Sequence, residues 1–528
     1  MNASIEQLSP PGAEVIDVRN PATGEVVGSV AVQSAETVAA VVDELRAHQS
    51  SWETLGPEAR AAWLRKLRDW LLDNESRIVD VVATETGKPR VEAAFEVMVT
   101  CDAINYYADR AGKYLAEKRF RPHGPLTSTK KLTRVYRPYP VVGVITPWNF
   151  PLLIPGVDAV AALLAGAAVV VKPSEVTPLS ACELARGWEQ IGGPPVLARV
   201  TGLGATGAAV VNTVDMVQFT GSTKTGRAIA ARAGERLIPC GVELGGKDPA
   251  IVLADADLSR AANGIAWAAL FNSGQACISV ERVYVEAPAY DRFVALLTER
   301  VRSIRQGVDN GSYSTDVGAV VTEQQVEIVR SHVKDAVAHG ATVATGGKTT
   351  GNGAFFEPTI LLDVDHSMAC MRDETFGPTI PVMKVADEEE AIRLANDSQY
   401  GLSATVWTKD IARGRHIAQR LEVGAVNIND AYSNLFCFPL PHGGWKNFGL
   451  GSRLGGAQGI RKYCRQQAIT TPRVPRLENQ LLWYPYSHRR GRIVAALLRL
   501  FVARDVRRRL WRAGSRTPSH ASTGSGAK

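Results

Sequence analysis

From about residue 141 onward, short apolar runs alternate with longer stretches in which apolar residues recur at helical spacing. The runs at 141–145, 168–171, 216–219, 251–253 and 283–285 carry no charged side chain, the pattern of strands buried on both faces. This rhythm predicts an α/β fold with parallel sheets whose loops at the strand C-termini carry the chemistry. It returns at 379–384 and 404–407, which predicts a second α/β unit after about residue 245. Upstream, Asn20-Pro21-Ala22-Thr23-Gly24-Glu25 separates two Val-rich runs and predicts a β-hairpin over 15–30. Trp63, Leu67, Trp70 and Leu71 recur at helical spacing behind Pro57, predicting a helix over 57–74 that packs on a sheet.

The length of 528 residues exceeds what one hydrophobic core supports, so two or more domains are expected. The seven cysteines (101, 182, 240, 277, 370, 437 and 464) form no CxxC pair and no metal-ligand spacing, which argues against a disulfide framework or a metal site. With no apolar stretch in residues 1–11, the expected location is the cytoplasm.

Charge changes the picture in one place. Eleven Lys or Arg fall within 488–528 against one acid, Asp505, a local excess of ten, so a net charge of +7 leaves the remainder at −3. A mildly acidic body excludes a nucleic-acid-binding domain, while the basic tail suits any polyanion. Its apolar run, 493–503, is eleven residues long and broken by Arg499, where a membrane span needs roughly 20. The tail is expected either to make a peripheral contact with a membrane surface or partner subunit, or to cover its own domain with Arg stems reaching solvent. The final Gly, Ser and Thr residues read as disordered.

Gly202-Leu-Gly204-Ala-Thr-Gly207 matches a dinucleotide fingerprint, but no acidic residue at a following strand end completes it, so a plain loop is an equal reading. Six other motifs carry more: Thr146-Pro-Trp-Asn-Phe-Pro151, Lys172-Pro-Ser-Glu175, Phe219-Thr-Gly-Ser222, Glu243-Leu-Gly-Gly-Lys247, Gly274-Gln-Ala-Cys277 and Glu374-Thr-Phe-Gly-Pro378. In this order they resemble the aldehyde dehydrogenase superfamily over about residues 20–471.

That resemblance implies Cys277 as the nucleophile, because a thiolate attacks a carbonyl far better than water does. It implies Asn149 and the Cys277 backbone N–H as donors to the oxyanion, and Glu243 as the general base that hydrolyses a thioester. Read singly, Cys277 could be a small core residue, Asn149 a turn residue and Glu243 the start of a loop. For the cofactor it implies Lys172 and Glu175 on the adenosine ribose, Ser222 on the pyrophosphate, Glu374 on the nicotinamide ribose, and Trp148 and Phe376 against the cofactor. Gly221 and Leu244 complete that set. A carboxylate at Glu175 accepts from free ribose hydroxyls and repels a 2′-phosphate, which favours NAD while leaving NADP open. Glu175 could instead be a solvated helix-start residue.

Residues 275–284, 426–429 and the basic extension look most like a branch labelled succinate-semialdehyde dehydrogenase. Enzymes for that substrate resemble one another in placing arginines eight residues after the oxyanion Asn and six before the Cys, where this chain has Val157 and Phe271. Leu153, Val157 and Phe271 are then expected to line a tunnel for an apolar aldehyde, aliphatic or aromatic, unless they are ordinary core. Succinate-semialdehyde oxidation, a CoA-acylating reaction and a non-catalytic protein on this fold stay open as alternatives. Pro441-His442-Gly443-Gly444-Trp445-Lys446 departs from the family's Pro-Phe-Gly-Gly pattern, His442 reading as a packing or surface substitution; Phe448 and Ser452 depart as well. By resemblance the fold is a Rossmann-like NAD-binding domain (1–119 and 140–245), an α/β catalytic domain (246–445), β oligomerisation segments (120–139 and 446–475) and the basic extension (476–528). A homodimer or homotetramer is expected.

Overall fold

The computed structural model describes residues 14–124, 127–351, 354–473 and 479–510. Residues 1–11, read above for a leader, and the terminal Gly, Ser and Thr residues lie outside them. The chain divides into two compact units, Met1–Leu115 with Arg137–Arg465, and Ala116–Tyr136 with Gln466–Lys528.

The larger unit holds two sheets. The first has six strands in the order Gly449–Leu450, Cys240–Glu243, Met216–Thr220, Val141–Ile145, Ala168–Lys172, Leu197–Arg199. The last five are parallel, and only Gly449–Leu450 runs against its neighbour. Val141–Ile145, Ala168–Lys172 and Met216–Thr220 are buried throughout, as their apolar runs predict, and Lys172 at the end of its strand is buried with them. The chain leaves Val141–Ile145 towards Ala168–Lys172 on one side and returns as Met216–Thr220 on the other. That makes the central strand a topological switch point, where α/β sheets open a ligand crevice.

The second sheet orders Thr342–Thr345, Thr359–Leu362, Thr379–Val385, Val280–Glu286, Asp248–Val252, Ser403–Trp407 and Ala425–Ile428. All its pairs are parallel except the edge strand Thr342–Thr345. The expected second α/β unit thus begins at Asp248, and the hairpin pairs Val15–Arg19 with Val26–Ala31.

Three expectations change. The helix Gly56–Asp73 packs on helices and not chiefly on a sheet: its main contacts are with Arg90–Ala108, Leu153–Ala165, Ala111–Leu115 and Leu179–Gln190. Its buried face consists of Arg60, Ala61, Leu64, Leu67 and Leu71, and Arg60 Nε donates to the Leu164 carbonyl at the end of a neighbouring helix. Residues 446–465 do not join the small β unit, because Gly449–Leu450 extends the first sheet and the helix Ala457–Arg461 packs on Leu153–Ala165. The predicted cysteine lies before a strand, not after one. Cys277 precedes Val280–Glu286, because the four residues Leu244–Lys247 join the C-terminal end of Cys240–Glu243 directly to the N-terminal end of Asp248–Val252.

The smaller unit contains a three-stranded sheet in the order Cys464–Pro472, Lys130–Pro138, Lys118–Phe120, followed by the helices His488–Val502 and Val506–Leu510. No helix among the described residues is long and apolar enough to cross a membrane.

Candidate active site

At the switch point the C-terminal ends of three strands open into a cleft of about 480 Å³. Trp148, Lys172, Glu175, Gly221 and Ser222 all line it, so five of the eight predicted cofactor residues meet there. The Lys172 ammonium is buried and lies 3.2 Å from the half-exposed Glu175 carboxylate, placing a cation and an anion side by side. Glu175 stands in the loop before the helix Leu179–Gln190, so the helix-start reading does not hold. Ser222 caps the helix Thr223–Glu235, accepting from the Thr225 N–H.

The weak fingerprint also finds its place. Gly204 and Gly207 line the same cleft at the start of the helix Gly204–Thr213, with nothing within 4 Å of where a Cβ would stand. Two helix N-termini, a buried ammonium and open glycine backbone fit an anionic dinucleotide.

Leu244, Glu374 and Phe376 lie outside that cleft wall and form a second group. The Phe376 ring meets Trp148 edge-on, with centroids 5.4 Å apart. Glu374 accepts from the Gly246 N–H at 2.8 Å, and burial pushes its carboxyl up to about 8. The loop carrying it is fixed by Glu281, which accepts from the Thr375 and Phe376 N–H groups and pairs with buried Lys247 at 2.6 Å.

Cys277 follows a turn in which Asn272, Ser273 and Gly274 all adopt left-handed backbone. At Gly274 (φ 74°) a Cβ would lie 2.2 Å from the Gly377 carbonyl, which leaves only glycine. Gly246 is as constrained, since its Cβ would lie 2.2 Å from the Cys277 carbonyl. Asn149 Nδ2 donates to the Gln275 carbonyl at 2.9 Å, tying the oxyanion candidate to the cysteine loop. Asn272 Nδ2 donates to the carbonyls of Asn149 and Gln275, and Glu92 receives the Asn272 N–H. Behind the Asn149 turn, Lys88 Nζ donates to the Asn149 carbonyl and to Glu96, both at 2.7 Å, while Glu96 receives the Leu152 and Leu153 N–H groups. Sequence reasoning missed Lys88, Glu92, Glu96 and Asn272, which read as ordinary polar positions on helices or in a turn.

Burial pushes the Cys277 thiol up to about 12 and the Glu243 carboxyl up to about 7, the latter against the pull of Arg453 and Lys462. Leu153, Val157 and Phe271 are buried in one apolar cluster against which Cys277 packs. Around Phe271 stand Phe95, Phe150, Trp267 and Tyr432, with ring centroids 5.3 to 6.1 Å away. A second cavity of about 550 Å³, lined by Trp267, Trp407, Arg260 and Asp430, touches none of the predicted catalytic residues. His442 is buried, not on the surface, and desolvation lowers it to about 3, so it is a neutral packing residue. Its carbonyl receives the Arg453 N–H and the Ser452 hydroxyl.

Residues 9–469 match the aldehyde dehydrogenase family. The chain belongs to that family. This aldehyde dehydrogenase is 41% identical over 464 residues to a "Putative succinate-semialdehyde dehydrogenase" (NADP+) of Mycolicibacterium smegmatis, covering 87% of this chain and 89% of the relative. It is 38% identical over 473 residues to 4,4'-diapolycopene aldehyde oxidase of a Methylomonas species, covering 89% and 88%. Its structure resembles a Mycobacterium tuberculosis aldehyde dehydrogenase complexed with NAD+, with a TM-score of 0.83 and 34% identity over 88% of this chain and 96% of the other. The protein is an NAD(P)-dependent aldehyde dehydrogenase, on the mixed α/β fold that its sequence predicts.

Proposed function

We propose that this aldehyde dehydrogenase oxidises an apolar aldehyde to the carboxylic acid through a thioester on Cys277. The supporting observation is the side chains beside the cysteine: Val157 and Phe271 are buried in an aliphatic and aromatic cluster. A carboxylate-bearing aldehyde there would give up its hydration without a bidentate cation in return. The relatives' names divide between succinate semialdehyde and 4,4'-diapolycopene aldehyde, and the cluster suits the apolar one.

In this reading the Cys277 sulfur attacks the carbonyl carbon and the thiol proton passes to solvent water as the bond forms. The Asn149 amide has one N–H engaged by Gln275, and its other N–H joins the Cys277 backbone N–H in holding the oxyanion. Lys172, Glu175 and Ser222 in the switch-point cleft and Glu374 beside it would hold the dinucleotide, which would supply the oxidising chemistry by accepting a hydride from the adduct carbon. Glu243 then takes a proton from the water that attacks the thioester, and the C–S bond breaks to release the acid. The same carboxylate argues for water over CoA as the acceptor.

The reading assigns NAD binding to 1–119 and 140–245, catalysis to 246–445, and subunit pairing in a dimer or tetramer to the small three-stranded sheet. Glu175 beside Lys172 favours NAD, since a 2′-phosphate would meet a carboxylate. Seven unpaired cysteines suit the reducing cytoplasm. The basic extension is a peripheral contact with an anionic membrane surface.

The test is the rate of reduced-cofactor formation with a medium-chain aliphatic aldehyde and with succinic semialdehyde, with Cys277→Ala as the control. The aliphatic aldehyde is expected to give kcat/KM at least tenfold higher, and Val157→Arg to lower it. A preference for succinic semialdehyde would overturn the assignment.

A further inference from the structure

A general base buried as deeply as Glu243 needs something to keep it ionised. The strand pairing supplies a candidate that the motifs do not contain. Gly449 stands opposite Glu243, and the chain after Leu450 turns back over the first sheet to place Arg453 at the base. Arg453 Nη1 lies 2.5 Å from Glu243 Oε2, and both side chains are almost fully buried. The contact is a charge pair rather than an aligned side-chain donation.

The same guanidinium is held from its other side. Its Nε lies 3.2 Å from Asp158 Oδ1 and its Nη2 3.3 Å from Asp158 Oδ2, on the fully buried helix Leu153–Ala165. Nη2 also donates to the Thr220 hydroxyl. Lys462 approaches Asp158 at 3.9 Å, and the Tyr463 hydroxyl donates to it at 3.3 Å. Two carboxylates and two cations therefore close a buried, charge-balanced network behind the reacting centre.

We propose that Arg453, braced by Asp158, is a positioning residue for thioester hydrolysis: it holds the Glu243 side chain in place and keeps it ionised to accept the proton of the attacking water. The proposal rests on Glu243 being the base. In that step the water oxygen bonds to the thioester carbon, its proton passes to Glu243, and the Cys277 sulfur leaves.

The groups that act on Glu243 are Arg453 and Lys462, which favour its ionised form, and Asp158, which opposes it. Cys277 and Tyr463 also feel its charge, while His442 is held neutral beside Arg453 and Lys462. Burial raises the Glu243 carboxyl, Arg453 and Lys462 pull it back down, and Asp158 weakens that pull, which leaves it at about 7, where proton transfer at neutral pH is most effective.

The experiment uses p-nitrophenyl acetate, an activated ester that acylates Cys277 without cofactor. The burst reports acylation and the steady rate reports hydrolysis, followed from pH 5 to pH 9. In Arg453→Gln the ascending limb of the steady rate is expected to move up by one pH unit or more. The rate at pH 7 falls at least fivefold and recovers at pH 9. Arg453→Lys keeps the charge and most of the limb, whereas Asp158→Asn moves the limb to lower pH. A folded Arg453→Gln whose limb does not move overturns the proposal, as does an unmoved limb in Asp158→Asn should Arg453→Gln fail to fold. Glu243→Gln separates the two readings: hydrolysis at the wild-type rate there would remove Glu243 itself as the base.

Discussion

At the residue scale, burial raises Cys277 to about 12 and Glu243 to about 7, so it affects the two steps differently. In the proposed mechanism the thiol is protonated near neutral pH and must lose its proton as it attacks, while Glu243 is ionised far more readily and can receive one. In the proposed reading of the cofactor cleft, Glu175 accepts from the ribose hydroxyls and its charge opposes a 2′-phosphate. Its carboxylate is half exposed and 3.2 Å from Lys172, so the ammonium offsets only part of its repulsion of a 2′-phosphate. In Glu175→Ser that repulsion is gone and Lys172 remains. The ratio of kcat/KM for NADP over NAD should rise about tenfold, equivalent to ~1.4 kcal/mol. Absorbance of the reduced cofactor measures it, and an unchanged ratio would mean that Glu175 does not select the cofactor.

At the element scale, two turns must be held against each other: the one carrying Asn149 and the left-handed one before Cys277. Asn149 Nδ2 and Asn272 Nδ2 link them directly, donating to the Gln275 and Asn149 carbonyls, and buried Lys88 fastens the Asn149 turn from behind, donating to the Asn149 carbonyl and to Glu96. Lys88→Met should destabilise the enzyme by about 3–5 kcal/mol, because it leaves the Glu96 carboxylate buried without its cation. Urea unfolding of the cofactor-free enzyme measures this. Lys88→Met/Glu96→Gln should recover part of the loss, since Gln keeps an acceptor for the Leu152 and Leu153 N–H groups while removing the charge. Without that recovery, the Lys88–Glu96 pair would not be the cause. The elements themselves were legible in the sequence because each is specified locally. Residues 141–145 read as a buried strand from their own composition, and Gly24 and Pro21 mark the hairpin turn. The fastening residues were not legible. Glu96 and Asn149 lie 53 positions apart, and Arg453 lies more than 200 residues from Glu243. Their pairing depends on which strands become neighbours, such as Gly449 opposite Glu243, and local periodicity carries no record of that.

At the scale of the whole molecule, the residues proposed for catalysis lie within the family span and the excess positive charge lies beyond it. The helix His488–Val502 has no buried residue, exposing Leu498, Leu500, Phe501 and Val502 along with Arg489 and Arg492. A basic helix that leaves apolar side chains in water suits an anionic lipid surface, where apolar aldehydes also concentrate. Deleting residues 488–528 should abolish cosedimentation with vesicles containing phosphatidylglycerol and leave turnover of a short, water-soluble aldehyde within twofold of the full chain. Raising the salt from 0.1 to about 1 M shortens the Debye length to about 3 Å and should release the full-length enzyme from the same vesicles. Vesicles of phosphatidylcholine alone should retain little of it in either form. Vesicle binding that survives the deletion would place the contact elsewhere. Binding by neither form would leave the exposed face to a protein partner, such as a second copy of the chain, and sedimentation equilibrium of the full and shortened proteins would then measure the change in assembly.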